Sequence, residues 1–278
     1  MNNKTFVCGL QIPLLFDAET PAMTAAEISQ RLGYSLSKSY RLIRTLVQFQ
    51  MLREKPGTAH YILGMAFIRL GQLAQQNSQL SAVARPVMEE LSRLTNETVL
   101  LTAFDGTRGV CLERVESKEP IRYTLYQPGG SLPLHAGASS KILMAYLPEQ
   151  EWDRIIGLGL KKYTDHTITD PERLKAHLRE IRQRGYTFSD QEVDRDVRAV
   201  AAPVLSASGE LLAGLSVAGP GFRMTKKKVA SLGKLVLEYA KKIASNSSGL
   251  PALTEDAQEV ALGASVRRAK STVRGSGA

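Results

Sequence analysis

The sequence predicts an α+β fold in two domains, and three observations support this prediction. Apolar residues recur at helical spacing over residues 24–49, with a glycine between two helical segments. Two short segments with strand character then flank a turn over residues 55–58. From residue 97 the apolar pattern changes to that of strands, with helical segments following. A small helical domain with a β-hairpin therefore precedes a larger domain that contains an antiparallel sheet.

Residues 24–49 form a helix-turn-helix pattern. Gly33 can adopt the positive φ that ends the first helix, and Ser35 can cap the second. The expected inward stripe of the second helix consists of Ser39, Leu42, Ile43, Leu46 and Phe49. Its outward residues, near the N-terminal half, are Ser37, Lys38, Tyr40, Arg41 and Arg44. Because a recognition helix presents this surface to base edges and phosphates, these residues are candidate DNA contacts.

The hairpin that follows is typical of a winged helix-turn-helix. Strands are predicted at 51–53 and 61–63, and Lys55 in the turn can lie on the phosphate backbone, together with Arg53 and His60. Two amphipathic helices joined by a tight turn also occur in domains that never contact DNA. The hairpin after the second helix is the additional feature that favours the DNA-binding alternative. Before these elements, residues 6–16 predict a first helix that Pro13 shortens or kinks.

The remaining elements follow in order. Residues 64–76 and 78–94 predict a linker helix and the first helix of the second domain, with a break or start near Arg85 because Pro86 follows. Strands predicted at 98–104, 108–115 and 121–126 form a meander. A glycine-rich loop at 127–137 leads into a helix whose small first residues favour an anion at its N-terminus. Helices at 149–158 and 171–185, a hairpin of strands 199–206 and 211–219, and a helix at 225–245 complete the domain.

Composition and motifs argue against several classes of protein and of functional site. A formal charge of +9 favours an acidic partner such as nucleic acid. The chain has only two cysteines, which indicate neither a disulfide framework nor a metal site, so a reducing compartment, the cytoplasm, is expected. No run approaches the roughly 18 apolar residues of a membrane span, and no secretion signal is expected. His135 and Cys111 lack a nucleophile elbow, a P-loop or metal-ligand spacing, so we expect no catalytic residue, no metal and no cofactor.

In their order and spacing, several segments resemble the isocitrate-lyase-regulator (IclR) family of bacterial transcription factors. The resemblance covers about residues 8–248 and rests on TAAEISQRLGYSLSKSYRLIRTL, ARPVMEELSRLTNETV, CLERVES, LPLHAGASSKILMAYLP, YTDHTITDPERLKAHLREIRQRGY, VRAVAAPV and LSVAGP. It implies a winged helix-turn-helix at 1–63, a dimerising linker helix at 64–78 and a GAF-like effector-binding domain at 79–248. It also implies operator DNA, a small-molecule effector, and a homodimer that pairs into a dimer of dimers. Residues 249–278 lie outside the resemblance and predict a disordered basic tail.

Carried over residue by residue, the family's effector pocket falls on Ile121, Thr124, Leu132, Ala138, Ser139, Ser189, Asp190, Val197, Ala199 and Ser216. Apolar walls, a few hydroxyls and backbone donors at a helix N-terminus suit a small organic acid, aromatic acids included. Asp190 would repel an anion unless it faces a hydroxyl or a cation such as Arg198. The sequence departs from the family at Ser139-Ser140-Lys141, where Leu-Gly-Lys is usual. The run Lys226–Lys228 opposes the dipole of the last helix and is either a solvated face or a contact with an acidic partner or a neighbouring subunit.

We therefore predict a ligand-responsive DNA-binding regulator, a repressor or an activator, that controls a catabolic operon. A small-molecule-hydrolysing enzyme is one alternative, and the missing catalytic motifs argue against it. A DNA-bending architectural protein is another, but such a protein needs no effector pocket of mixed polarity. The expected partners are double-stranded operator DNA, a small-molecule effector and a second copy of this chain, with no membrane.

Overall fold

The structure is a computed structural model that describes residues 3–17, 19–76, 78–124 and 126–247. The chain divides into two compact units between residues 77 and 78. The N-terminal unit contains, in chain order, α1 (Lys4–Gln11), β1 (Met23–Thr24), α2 (Ala25–Leu32), α3 (Leu36–Gln48), β2 (Leu52–Glu54), β3 (His60–Leu63) and α4 (Met65–Gln76). Its three strands form an antiparallel sheet in the order β1-β3-β2.

The helix-turn-helix is confirmed, with the predicted caps. The side chain of Thr24 accepts from the Glu27 N–H, and the Glu27 carboxylate accepts from the Thr24 N–H, so a capping box begins α2. Gly33, at a φ of 65°, ends α2, and the Ser35 side chain accepts from the Lys38 N–H to cap α3. The core of this unit consists of Ile12, Met23, Ala25, Ile28, Ile43, Leu46 and Leu52.

The predicted inward position of Phe49 is wrong. Its side chain is 66% exposed because α3 ends at Gln48 and the backbone turns away at Phe49, so the helical stripe stops at Leu46. The expectation for the first helix is confirmed: α1 ends at Gln11, and Pro13 begins a separate 3-10 turn instead of breaking a longer helix. The wing is confirmed, and it gains a third short strand, β1, that the sequence reading missed.

The C-terminal unit surrounds a six-stranded antiparallel sheet. Its elements are α5 (Gln79–Thr95), β4 (Thr98–Phe104), β5 (Arg108–Val115), β6 (Ser131–Pro133), α6 (Ala138–Tyr146), α7 (Glu149–Ile156), α8 (Pro171–Arg184), β7 (Thr187–Asp190), β8 (Val197–Leu205), β9 (Leu211–Pro220) and α9 (Lys226–Asn246). The strand order is β6-β5-β4-β9-β8-β7. Helices α5 and α9 pack on one face of this sheet, and α6, α7 and α8 pack on the other.

Strand alternation along β8 divides its side chains between these two layers. Val200, Ala202 and Val204 belong to the core under α5 and α9. Ala199 and Ala201 point to the opposite face, where α6 lies. Because successive strand residues face opposite sides of a sheet, Ala199 reaches the layer that contains the start of α6. This period-two pattern places Ala199 near Ala138 and Ser139.

The predicted strand at 121–126 is wrong. Three of its carbonyl groups, at residues 121, 123 and 124, bind side chains instead of a neighbouring strand. The Arg114 guanidinium donates to the carbonyls of Tyr123 and Thr124, at 3.0 and 3.2 Å, and Arg223 donates to the Ile121 carbonyl at 2.6 Å. The edge position beside β5 is taken by β6.

The predicted break at Arg85 is also wrong, since α5 continues through Pro86. Proline removes the N–H that would bind the Ala82 carbonyl. Both Ala82 and Pro86 are exposed, so water can satisfy that carbonyl, while buried residues on either side of Pro86 hold the helix on the sheet. The strand β7 was missed altogether, because its four residues lie directly after a helix and show only a short alternation.

None of the helices in the described ranges has the length and apolar character needed to cross a membrane. The predicted basic tail at 249–278 lies outside the residues that the structure describes.

Candidate functional site

The outward face of α3 exposes four of the predicted DNA contacts. Ser37, Tyr40, Arg41 and Arg44 are exposed, while Ser39, Ile43 and Leu46 on the opposite face are buried. The buried stripe fixes the rotation of the helix, so the two guanidinium groups are carried on the solvent side. A groove between α3 and the wing is lined by Arg41 and Arg44 on one side and by Glu54 and Tyr61 on the other.

Lys38 differs from its neighbours because its ammonium group is directed toward α1. Its Nζ donates to Cys8 Sγ at 3.1 Å and lies 4.0 Å from the centre of the Tyr34 ring. The Tyr34 hydroxyl in turn donates to the Gln11 side chain at 2.5 Å. Burial, together with the contact to Cys8, raises the pKa of Tyr34 to about 12, so this hydroxyl stays protonated at neutral pH. The Lys38 ammonium group therefore has its contacts within the N-terminal unit.

The wing presents its turn to solvent. The Lys55 N–H donates to the His60 carbonyl at 2.8 Å, and the Thr58 N–H donates to the Lys55 carbonyl at 3.1 Å. Gly57 has a φ of 72°, which only glycine adopts readily, so the turn is tight. The side chain of Lys55 is exposed at this turn.

A small, partly open cavity of about 40 Å³ lies between the sheet and the N-terminus of α6. Six of the ten predicted effector residues line it: Leu132, Ala138, Ser139, Ser189, Val197 and Ala199. The residues that sequence reasoning missed are Leu100, Tyr123, Tyr126, Gly137, Val193, Asp194 and Ala218. The first-turn N–H groups of α6 have no acceptor within the helix, so this wall can donate hydrogen bonds to a ligand.

The other four predicted residues lie outside the cavity. Ile121 and Thr124 line an adjoining open cleft of about 650 Å³, which shares Tyr123, Asp194 and Val197 with the cavity. The shared residues mark the boundary between the cavity and the cleft. The Ser216 hydroxyl lies behind Ser139 and is hydrogen bonded to it.

Asp190 faces two cations and does not line the cavity. Its carboxylate accepts from Arg198 Nε at 2.6 Å and lies 3.0 Å from Lys226 Nζ. Desolvation raises its pKa, but the hydrogen bonds from Arg198 and Lys226 outweigh that effect and hold the pKa below its ordinary value. Of the two alternatives left open by the sequence, a hydroxyl or an arginine, Asp190 faces the arginine. Lys226 also has a partner within the chain, which accounts for one of the three lysines at the start of α9.

The missed tyrosines belong to the segment that was predicted as a strand. A strand would have placed Tyr123 and Tyr126 on opposite faces, whereas the irregular segment presents both to the cavity. Burial, followed by the charge of Asp194, raises the pKa of Tyr123, and burial likewise raises the pKa of Tyr126. The Tyr126 hydroxyl donates to the Gly109 carbonyl. Both rings therefore remain neutral, and only the density of tyrosine in IRYTLY could have indicated them.

A buried charged cluster lies beside the N-terminus of α6. Lys141 is fully buried, and its Nζ lies 2.5 Å from Glu192 Oε1 and 3.0 Å from His177 Nε2. The second carboxylate oxygen of Glu192 accepts from the Gly137 N–H at 3.4 Å. Burial lowers the pKa of Lys141, while the adjacent Glu192 opposes this shift. Burial, followed by the charge of Lys141, lowers the pKa of His177 to about 3.

His135 and Cys111 show no catalytic arrangement. His135 is buried, its Nε2 lies 2.9 Å from the Lys161 carbonyl, and burial lowers its pKa. Burial raises the pKa of Cys111 to about 12, so its thiol is not a nucleophile at neutral pH. Over the residues that the structure describes, no group of three or more histidine, cysteine, aspartate or glutamate side chains could hold a metal ion.

Comparison with known proteins places the whole arrangement in one family. The family model described as the bacterial transcriptional regulator IclR C-terminal domain matches residues 72–245, and the IclR helix-turn-helix domain matches residues 9–56. The HTH-type transcriptional regulator KipR of Bacillus subtilis strain 168 is 31% identical over 243 residues, which is 87% of this chain and 96% of KipR. The HTH-type transcriptional regulator BhcR of Paracoccus denitrificans is 32% identical over 227 residues, covering 81% of each chain.

Solved structures agree with this assignment. An IclR family transcriptional regulator from Brucella abortus shares the fold with a TM-score of 0.77 at 24% identity, covering 90% of this chain and 94% of that chain. An IclR homologue from Microbacterium hydrocarbonoxydans, crystallised with 4-hydroxybenzoate, has a TM-score of 0.66 at 25% identity, covering 87% of this chain and 98% of that chain. The named relatives are regulators, which supports the prediction of a regulator over that of an enzyme. This chain therefore belongs to the IclR family and is a ligand-responsive, DNA-binding bacterial transcriptional regulator.

Proposed function

We propose that this regulator controls a catabolic operon and that its effector is a small carboxylic acid, aromatic acids included. The observation that carries this proposal is the cavity at the first turn of α6, where backbone donors meet apolar and tyrosine walls. We further propose that the chain acts as a homodimer that pairs into a dimer of dimers, through the linker helix assigned to residues 64–78. The exposed apolar side chains of α4, at Met65, Ile68, Leu70 and Leu73, support this role.

The proposed DNA contacts are the exposed residues of α3 and the wing. Arg41 and Arg44 supply the guanidinium groups that bind base edges or phosphates, Ser37 and Tyr40 lie beside them, and Lys55 contacts the backbone from the wing. Lys38 contributes indirectly, because its ammonium group binds Cys8 and Tyr34. A symmetric dimer requires an operator with two related half-sites.

The charges around the cavity orient the proposed effector. The N-terminus of α6 carries partial positive charge, and its first-turn N–H groups have no acceptor within the helix, so it attracts the carboxylate. Asp194 lies at the boundary with the outer cleft, so a carboxylate near it would be repelled, whereas a hydroxyl could donate to it. We therefore place the carboxylate at α6 and the remainder of the ligand between the tyrosines. The 4-hydroxybenzoate bound by the Microbacterium homologue has this combination of groups.

The cavity must enlarge when such a ligand binds. Its volume of about 40 Å³ accommodates a few water molecules, whereas binding pockets for small molecules are typically about 300–1,000 Å³. The adjoining cleft provides the direction in which the space can extend, since it shares three residues with the cavity. The effector then shifts an equilibrium between closed and open arrangements by its differential affinity for them. We propose that α4, which leads along the chain into α5, transmits this shift to the DNA-binding unit.

The proposal is tested by titrating 4-hydroxybenzoate, benzoate and short aliphatic acids into the full chain, each beside its neutral amide. A DNA site selected from random sequences serves as the probe for the response. We expect acids to bind and to change DNA affinity, and we expect their amides to do neither at the same concentration. Equal binding of acids and amides would contradict the placement of a carboxylate at α6. Mass spectrometry of small molecules retained by the purified chain then identifies the native acid.

A further inference from the structure

The cavity wall at α6 is already in contact with a carboxylate that belongs to the protein. Glu192 uses one oxygen to bind the fully buried Lys141 and the other to accept from the N–H of Gly137, a residue of the cavity wall. An anionic ligand at this helix terminus would therefore meet a negative charge and a donor that is already occupied. Neither Glu192 nor Lys141 lines the cavity, so each can affect a ligand only through the residues that form the cavity wall.

Glu192 lies in a short loop that forms one wall of the cavity. Gln191 and Asp196 bracket this loop with positive φ values of 61° and 63°, which are uncommon for residues other than glycine. Between them, Val193 and Asp194 line the cavity. A methyl group placed on Gly137 would lie 3.0 Å from Val193, so the loop closes tightly over the start of α6.

The sheet and helix walls of the cavity are held more firmly than this loop. Leu100, Ala199 and Ala218 belong to β4, β8 and β9, which are paired along their length in the middle of the sheet. Helix α6 lies in the buried core against α8. The loop backbone is instead tied by isolated hydrogen bonds, from Thr164 to the Gln191 carbonyl, from Thr167 to the Glu192 carbonyl and from the Gly221 N–H to the Asp196 carbonyl, and its base is closed by the Gln191 N–H on the Val197 carbonyl. The loop is therefore a wall that can yield when the cavity enlarges.

We propose that Glu192 is a positioning residue that holds the loop 191–196 closed over the effector cavity and competes with the effector's carboxylate for the N-terminus of α6. The class of ligand in this inference rests on the proposed function, whereas the closed loop is a feature of the protein without any ligand. An acid that enters the cavity takes the Gly137 N–H and repels the Glu192 carboxylate, which loosens the loop. A neutral analogue is not repelled by Glu192, so the closed loop distinguishes a charged ligand from a neutral one.

The first test needs no ligand. Hydrogen exchange is measured on the full-length wild-type chain, on Glu192→Gln, and on the matched control Glu180→Gln. Glu180 is an exposed carboxylate in a separate cleft of about 420 Å³ beside α8, which Glu192 also lines. We expect exchange in Glu192→Gln to rise at least about tenfold over residues 191–197 and to stay unchanged in α9 and β9, as expected for local opening. The control should match the wild type. Unchanged exchange at 191–197, or an equal rise throughout the chain, would overturn the proposal.

The second test uses 4-hydroxybenzoate and 4-hydroxybenzamide as probes. Glu192→Gln should bind the acid about tenfold more tightly than the wild type, a factor equivalent to about 1.4 kcal/mol, and should bind the amide with a smaller gain. Because an unpaired Lys141 could itself attract an acid, the double variant Lys141→Met with Glu192→Gln is measured in parallel. A gain that persists in the double variant supports competition by Glu192, whereas a gain confined to the single variant would overturn it.

The two tests separate the possible failures. If wild type and all variants bind neither probe, the aromatic-acid effector is wrong, and the exchange data alone decide whether Glu192 holds the loop. If exchange rises in Glu192→Gln but acid affinity does not, the loop opens without controlling the site, which overturns the inference while leaving the effector class intact.

Discussion

The Ser139 hydroxyl lies 2.8 Å from the Ser216 hydroxyl, and this hydrogen bond joins the first turn of α6 to β9. Either oxygen can be the donor, so Ser139 can donate to Ser216 or can accept from it and donate to a ligand. Only Ser139 lines the cavity. The pair therefore offers a hydroxyl that can change roles when an effector binds.

Substitution of either serine by alanine should have similar effects on stability but different effects on binding. Each of Ser139→Ala and Ser216→Ala removes the same bond, so each should lower the free energy of unfolding by about 0.5–1.5 kcal/mol in urea denaturation. Only Ser139→Ala should also weaken binding of the effector, as measured by calorimetric titration. An equal loss of affinity in Ser216→Ala would contradict the assignment of Ser139 as the residue that contacts the ligand.

Arg41 and Arg44 should contribute directly to DNA binding. If a guanidinium group contacts a base, its replacement by alanine costs about 1–3 kcal/mol of specific binding, whereas loss of a phosphate contact weakens all sequences alike. Fluorescence anisotropy on cognate and random duplexes over a salt series separates these outcomes. The control, Arg93→Ala, removes an exposed arginine from α5. Wild-type affinity in both recognition-helix variants would show that α3 is not the recognition helix.

Lys38 should behave differently from Arg41, although the two are neighbours on α3. Its ammonium group binds Cys8 and lies over the Tyr34 ring, so it is not free to neutralise a phosphate without breaking these contacts. Lys38→Met should therefore leave the slope of log affinity against log salt unchanged, while the loss of one phosphate contact would reduce that slope by about one. A reduced slope in this variant would show that Lys38 leaves Cys8 to bind DNA.

Acidification should destabilise the effector domain through His177. Its pKa is about 3 in the folded chain against an ordinary value of 6.5, so between these values the unfolded chain binds more protons. Stability is therefore unaffected by this group above pH 6.5 and falls as the pH decreases toward 3. Between pH 7 and 5, the wild type should lose about 1–2 kcal/mol more than His177→Gln, allowing for partial solvent exposure. Urea denaturation at both pH values measures this difference, and equal losses would contradict the assignment.

Local patterns predicted most of the fold because local interactions determine those elements. The ends of α2, α3 and α8 follow from Gly33, Ser35, Asp170 and Gly185, whose caps act within one helical turn. The irregular segment at 121–124 could not be predicted in this way. It depends on Arg114 and Arg223, and Arg223 is about 100 residues away along the chain.

The cavity, too, could be predicted from the sequence only in part. Family resemblance indicated Ala138, Ser139 and Ala199, which the structure brings together. It did not indicate Tyr126 or Val193, because the orientation of the first depends on an irregular backbone and that of the second on a loop with two residues at positive φ. Glu192 was missed because no local pattern indicates that it pairs with Lys141, 51 residues earlier.

The central claim is that this cavity couples an acidic effector to DNA binding, and Ala199→Phe tests it most directly. The added ring would take up the space that the cavity gains on opening, at a cost in stability of about 1–3 kcal/mol. DNA affinity is measured with and without 4-hydroxybenzoate, or the acid retained by the purified chain, for wild type, Ala199→Phe and the control Ala82→Phe on the exposed face of α5. We expect all three to bind DNA equally without ligand and only Ala199→Phe to lose the response. A full response in Ala199→Phe would place the effector elsewhere and contradict this account.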